Sequence, residues 1–130
     1  MKFPPVIFDV DGTLTSEYYN EGNLLTLGEN QAMVSIALLL QPLRPLLIST
    51  ARPERLRDVT EQWLTRHGIT PAEIYMRPND KEGVPDSGIK FDHLTSIREK
   101  YGNPYLWVDD NESVLSMLKE NNVPVIQVSQ

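Results

Sequence analysis

The chain has 130 residues, 40% of them hydrophobic and 23% charged, with a formal net charge of −6 and no cysteine. That suits one domain, spanning 1–130, with apolar content enough for its own core. It excludes a disulfide framework, a thiolate metal site and a cysteine nucleophile, and argues against a broad basic footprint for duplex nucleic acid.

The elements alternate along the chain. Residues 6–10 form a short β-branched run after Pro4-Pro5 and read as a buried strand. Residues 15–28 are polar and aromatic with two glycines, and predict a short flap. Ala32, Met33, Ile36, Ala37 and Leu40 recur at helical spacing. Leu46, Leu47 and Ile48 predict a second strand after Pro45. Leu56, Val59, Trp63 and Leu64 mark a helix that Gly68 ends, with Pro53 at its start and both tryptophans, Trp63 and Trp107, in the core. A third strand over 73–76 leads into a loop over 77–88, rich in proline and glycine. Phe91, Leu94 and Ile97 predict a helix, 105–108 a strand, Val114, Leu115 and Leu118 a helix, and 123–128 a last strand. The fold expected is a single Rossmann-like three-layer α/β domain with a mainly parallel five-stranded sheet and minimal or no cap. No basic and apolar leader opens the chain and no apolar run could cross a bilayer, so the expectation is a soluble, cytoplasmic protein with no membrane partner.

Three of these strands end in polar residues: Asp9 and Asp11, Ser49 and Thr50, Asp109 and Asp110. In such sheets ligands bind beyond the carboxyl ends of the strands. Alternate residues of an extended segment face the same way, so Asp9 and Asp11 can converge while Gly12 lets the chain turn away. A lone aspartate at a strand end is usually a turn residue or helix cap; two such pairs on one edge are not explained that way. Carboxylates held together repel unless a proton or cation joins them. With Asp109 as a further oxygen ligand, the set suits magnesium, a hard octahedral ion. A phosphate drawn there could be attacked by one carboxylate while the second protonates the leaving oxygen. A Thr50 hydroxyl and a lysine could hold the remaining oxygens.

"DVDGTLT", Thr50, a downstream lysine and "WVDDNESV" resemble the four motifs of the haloacid dehalogenase superfamily of phosphohydrolases. The resemblance implies Asp9 as nucleophile and Asp11 as general acid and base. It implies magnesium on Asp9, the Asp11 carbonyl and Asp109, with Asp110, Gly12 and Thr13 in support. More narrowly, "LLISTARPERLRDVTEQWL", "IYMRPNDKEGVPDSGIKFDHL" and "LWVDDNESV" are similar to the phosphatase domain of polynucleotide kinase-phosphatases. Thr50-Ala51-Arg52, Met76-Arg77 and Lys90 match that family's pattern, with Ala51 where a glycine is usual. No "GxxxxGK[ST]" segment is present, so no kinase half is expected. The resemblance implies a phosphorylated nucleotide or nucleic-acid 3′ end as substrate, bound through Thr50, Arg52 and Lys90.

Lys90 opens a predicted helix and is preferred over Lys81, which lies in a polar loop, as the phosphate-binding lysine. Arg52 and Arg77 divide between substrate contact and structural pairing. Tyr18 and Tyr19 are read as packing the flap, with stacking on a substrate ring the alternative. His67 and His93 fall far in sequence from the carboxylate motifs, and His67 suits a helix C-terminus. Free nucleotides or other small phosphate esters as substrates, a non-catalytic phosphate-binding module, and a phosphorylated receiver domain are the competing readings. In receivers the phosphorylated aspartate ends the third strand, whereas Asp9 ends the first.

Overall fold

The computed structural model describes residues 3–129. Five strands, β1 (Val6–Phe8), β2 (Leu46–Pro53), β3 (Glu73–Arg77), β4 (Leu106–Asp109) and β5 (Val125–Gln127), form one sheet in the order β3-β2-β1-β4-β5. Every pairing is parallel, so the sheet is wholly rather than mainly parallel. Helices α1 (Gln31–Leu40), α2 (Arg57–Arg66), α3 (Asp86–Tyr101) and α4 (Glu112–Glu120) connect them.

Strand periodicity divides the core in two. Val6, Phe8, Leu46 and Ile48 face one side with Val34, Ala37, Trp63 and Leu64 of α1 and α2. Ile7, Leu47 and Trp107 face the other with Leu94, Ile97, Val114 and Leu118 of α3 and α4. β1 lies between β2 and β4, where successive connections leave in opposite directions. That is the switch point, where a crevice opens beyond the strand ends.

Several expected positions shift. On α1 the buried residues are Val34 and Ala37, with Met33 and Leu40 packed beside them; Ala32 and Ile36 are exposed. α1 is apolar almost all round, so spacing alone could not say which stripe faces inward. α3 begins at Asp86, so Gly88 and Lys90 lie inside it rather than in a loop and at a helix start. Its buried face is Ile89, Lys90, His93, Leu94 and Ile97, and Phe91 is exposed. Two polar residues occupy positions an apolar pattern would have reserved for hydrophobes. The flap over 16–29 is small but anchored. Ser16 N–H donates to Gly28 O (2.9 Å) and Trp63 Nε1–H to Leu27 O (2.9 Å), with Leu24 and Leu27 buried. Among the described residues, no helix is long and apolar enough to cross a membrane.

Candidate active site

Asp9 directly follows β1 and is still held in the sheet, its N–H donating to Val108 O (3.0 Å). A wide turn over Val10–Leu14 then reverses the chain, closed by Thr15 N–H to Val10 O (3.0 Å). Gly12 sits at φ +78°, where a Cβ would be strained and would drive into the Asp110 carboxylate. The Thr15 hydroxyl accepts from Gly12 N–H (3.0 Å), and the Thr13 hydroxyl donates to Asp9 Oδ2 (3.1 Å). The "DGTLT" residues thus bind one another and fix the direction of the Asp9 carboxylate.

Lys90 reaches this carboxylate from α3. Its ammonium donates to Asp9 Oδ1 (2.8 Å) and to Asp109 Oδ2 (2.7 Å), with all three side chains buried. The other Asp109 oxygen accepts from the N–H groups of Asp110 (2.8 Å) and Asn111 (3.1 Å), and Asn111 caps α4 through Val114 N–H (3.1 Å). Lys81 pairs loosely with Asp92 (3.8 Å) on the surface, away from the carboxylates.

Oxygens of Asp9, Asp109 and Asp110 lie within 4.8 Å of one another, the one cluster of this kind among the described residues. Against these three carboxylates stands one ammonium, Lys90, so with all three ionised two negative charges have no countercharge among the described residues. Burial, and after it the neighbouring Asp109 charge, push the Asp9 carboxyl well above its ordinary range; Lys90 opposes them. Burial alone would lower Lys90, but Asp9 and Asp109 outweigh it and raise its ammonium above the usual lysine value. A hard divalent cation with oxygen ligands fits both the donor set and the missing charge. The Asp110 carboxylate lies within this cluster, and the Asp11 carboxylate does not.

Asp11 turns the other way. Arg52 grips it with a fork, Nε–H to Oδ2 (2.9 Å) and Nη2–H to Oδ1 (2.7 Å). The guanidinium is buried, donates to the Thr60 hydroxyl through Nη1 (3.0 Å), and lies over the Tyr19 ring at 4.9 Å. Arg52 is therefore engaged first with the candidate acid. Arg77 is engaged with the 78–86 loop: it donates to the Lys81, Glu82 and Val84 carbonyls, to Ala51 O (3.0 Å) and to Asp86 (2.8 Å). Thr50 is fully buried, its hydroxyl accepting from Arg52 N–H (3.1 Å). Ala51 is not at positive φ, so the family's glycine is not needed there for backbone reasons.

These groups face a cavity of about 310 Å³ whose lining includes Asp9, Asp11, Ala51, Arg52, Lys90 and Asp110, but not Thr50. Tyr18 lines it too, and its hydroxyl donates to Asp110, whose carboxylate raises the phenol above its ordinary value. Tyr19 packs against the core, as expected; Tyr18 does not. His93, far in sequence from the carboxylate motifs, shares the buried face of α3 with Lys90. It is buried behind Lys90, with Nε2–H donating to Met76 O (2.9 Å) and Nδ1 accepting from the Ser49 hydroxyl (2.7 Å). Burial lowers its pKa to about 4, so the ring is neutral. Its spacing of three from Lys90 on one helix face was the available signal.

A family profile for the polynucleotide kinase PNKP phosphatase domain matches residues 4–130. Among solved structures, one described as a Pnkp1/Rnl/Hen1 RNA repair complex contains a chain with TM-score 0.84 at 22% identity, over 96% of this chain and 42% of that one. A second Pnkp1/Rnl/Hen1 complex gives 0.83 at 24% identity, over 97% and 46%. A D,D-heptose 1,7-bisphosphate phosphatase from B. bronchiseptica, complexed with magnesium and phosphate, gives 0.62 at 16%, over 95% and 79%. At these identities the structures show the shared fold, and this chain spans less than half the length of the two complex-derived chains. No curated protein sequence matches. The profile match runs across nearly the whole chain and agrees with the fold, so the chain belongs to the polynucleotide kinase PNKP phosphatase-domain family and is a phosphohydrolase of the haloacid dehalogenase type.

Proposed function

We propose that this domain is a magnesium-dependent phosphomonoesterase that works through an aspartyl-phosphate on Asp9 and removes 3′-phosphates from nucleotides or nucleic-acid ends. The observation that carries the reading is the division of labour between two carboxylates on one turn. Asp9 joins the acidic cluster and Lys90; Asp11 faces the same cavity from an Arg52 fork.

In the first step an Asp9 oxygen attacks phosphorus and the ester P–O bond breaks. Asp11, entering as the carboxylic acid, gives its proton to the departing alkoxide. In the second step Asp11, now a carboxylate, takes a proton from water as that water attacks phosphorus, and Asp9 leaves with its electron pair. Arg52 donates to both Asp11 oxygens in this structure, so proton delivery requires Asp11 to release one arm of the fork. Lys90 places positive charge beside the transferring group. Asp9, Asp109 and Asp110, with the Asp11 carbonyl, would hold magnesium, which when bound neutralises charge on the phosphate and on the carboxylates. Family membership supports the 3′-nucleotide substrate, as does the resemblance of the sequence around Arg52, Arg77 and Lys90 to that family's motifs.

The test is a turnover panel of 3′-phosphorylated mononucleotides, their 5′ counterparts and sugar phosphates, with magnesium or with chelator. Asp9→Asn serves as the control for contaminating phosphatase. The reading expects magnesium-dependent release from 3′-phosphates above the other two classes. Comparable turnover under chelation, or good turnover of sugar phosphates with none of 3′-phosphates, would contradict it.

A further inference from the structure

Tyr18 is the one aromatic side chain of the cavity with both a fixed end and a free face. Its hydroxyl donates to the Asp110 carboxylate within the cation cluster, yet the residue is 63% exposed. The ring lies over the Gly12 turn, where a Cβ built on Gly12 would come within 3.1 Å of Tyr18 Cζ. Its neighbour Tyr19 turns inward, where its ring carries the Arg52 guanidinium and packs against the core. The flap thereby sends one tyrosine into the protein and holds the other out across the cavity mouth. An exposed aromatic ring held at a polar cavity offers a planar apolar face on which a ligand ring can stack.

The other lining groups do not offer such a face. Arg52 and Arg77 are tied to Asp11 and to the 78–86 loop, and Arg55 pairs with Glu21 at the rim. We propose that Tyr18 is a stacking platform for an aromatic ring in the leaving group, which makes a base-bearing nucleoside the preferred alcohol of this phosphatase. The proposal rests on the phosphatase reading of the cavity and adds what selects the substrate. The charge-assisted bond to Asp110 fixes the ring before substrate arrives, so little order is lost on stacking. Tyr18 and Asp9 line the same cavity, so an aromatic ring on the leaving group of a phosphate held at Asp9 has the phenol face in that cavity to stack on. Selection would therefore favour bases over none, and would discriminate little among bases.

The experiment compares kcat/KM for matched pairs with and without a base: a nucleoside 3′-phosphate against 1-O-methylribose 3-phosphate, and a nucleoside 5′-phosphate against ribose 5-phosphate. Wild type, Tyr18→Phe and Tyr18→Ala are measured on each. The base-bearing member should lead by roughly 10-fold in wild type, as expected for one stacked base. Tyr18→Phe should keep that ratio, and Tyr18→Ala should bring it close to one. Using the ratio cancels any effect of the lost hydroxyl on Asp110. An unchanged ratio in Tyr18→Ala, a collapse in Tyr18→Phe, or no preference in wild type would overturn the platform. If wild type acts on the 5′ pair instead of the 3′ pair, the 3′-phosphatase reading fails by itself, and Tyr18 is judged on the 5′ ratio.

Discussion

Asp9 is under two opposing demands. As the proposed nucleophile it must be ionised, yet burial and Asp109 both disfavour its charge, and one ammonium serves two carboxylates. Lys90 is therefore central to the site in a way that Lys81 is not. Lys90→Ala would leave two buried carboxylates facing each other, with an expected stability loss of about 3–5 kcal/mol and activity down by ~10²-fold or more. Lys81→Ala, on an exposed and loose pair, should change stability by less than about 0.5 kcal/mol. Thermal melts and initial rates on both variants check this ranking. Arg52 gives a second case. Lysine keeps the charge but cannot make the fork to Asp11 or also reach Thr60. Arg52→Lys should lower kcat by ~10²-fold, the scale of a misdirected general acid, while KM moves less. A fall in kcat/KM carried by KM alone would make Arg52 a substrate contact instead. That Asp9, Asp109 and Lys90 meet was legible from the strand endings and the motif resemblance, whereas Asp11, expected to converge with Asp9, turns its carboxylate to Arg52. Arg52's engagement with Asp11 was not, because a pairing across forty residues of sequence leaves no local trace.

At the level of the element, α3 shows why sequence periodicity misled. Its inward face carries Lys90 and His93 among Ile89, Leu94 and Ile97, so the apolar stripe looks broken and the eye moves to Phe91. The same break is the mark of the site: polar residues on a buried face need partners, and here they find Asp9, Asp109, Ser49 and Met76 O. On α1 the opposite problem arose, since a helix apolar on every side has no stripe to read. His93 ties α3 to Ser49 within β2 and to Met76 near the end of β3, one helical turn from Lys90. Its folded pKa is about 4 against an ordinary 6.5, so between those values the unfolded chain binds more protons. Its contribution is full above about pH 6.5 and is lost as pH falls toward 4. A shift of this size is worth about 3 kcal/mol at most. Urea midpoints of wild type should fall between pH 7 and pH 5 more steeply than those of His93→Gln. Parallel slopes would show that His93 carries none of the acid sensitivity.

For the whole molecule, strand order does the placing. The alternation of short apolar strands with helices made a doubly covered parallel sheet legible early, and that sheet puts β1 and β4 side by side with their aspartates on one edge. The flap is short, its exposed Glu21 pairs with Arg55, and no larger cap element stands over the cavity among the described residues. With a net charge of −6, recognition should be confined to the terminal nucleotides. Mono-, di- and decanucleotide 3′-phosphates should then share kcat/KM within about threefold and show a shallow salt dependence; a steep rise with length would reveal a binding track along the strand. The central claim is that phosphorus passes through Asp9. It is tested most directly by hydrolysing a substrate made chiral at phosphorus with sulfur and oxygen isotopes, in isotopically labelled water. Two in-line displacements, at Asp9 and then at water, predict net retention of configuration; net inversion would mean that water attacks the substrate directly and that Asp9 is not the nucleophile.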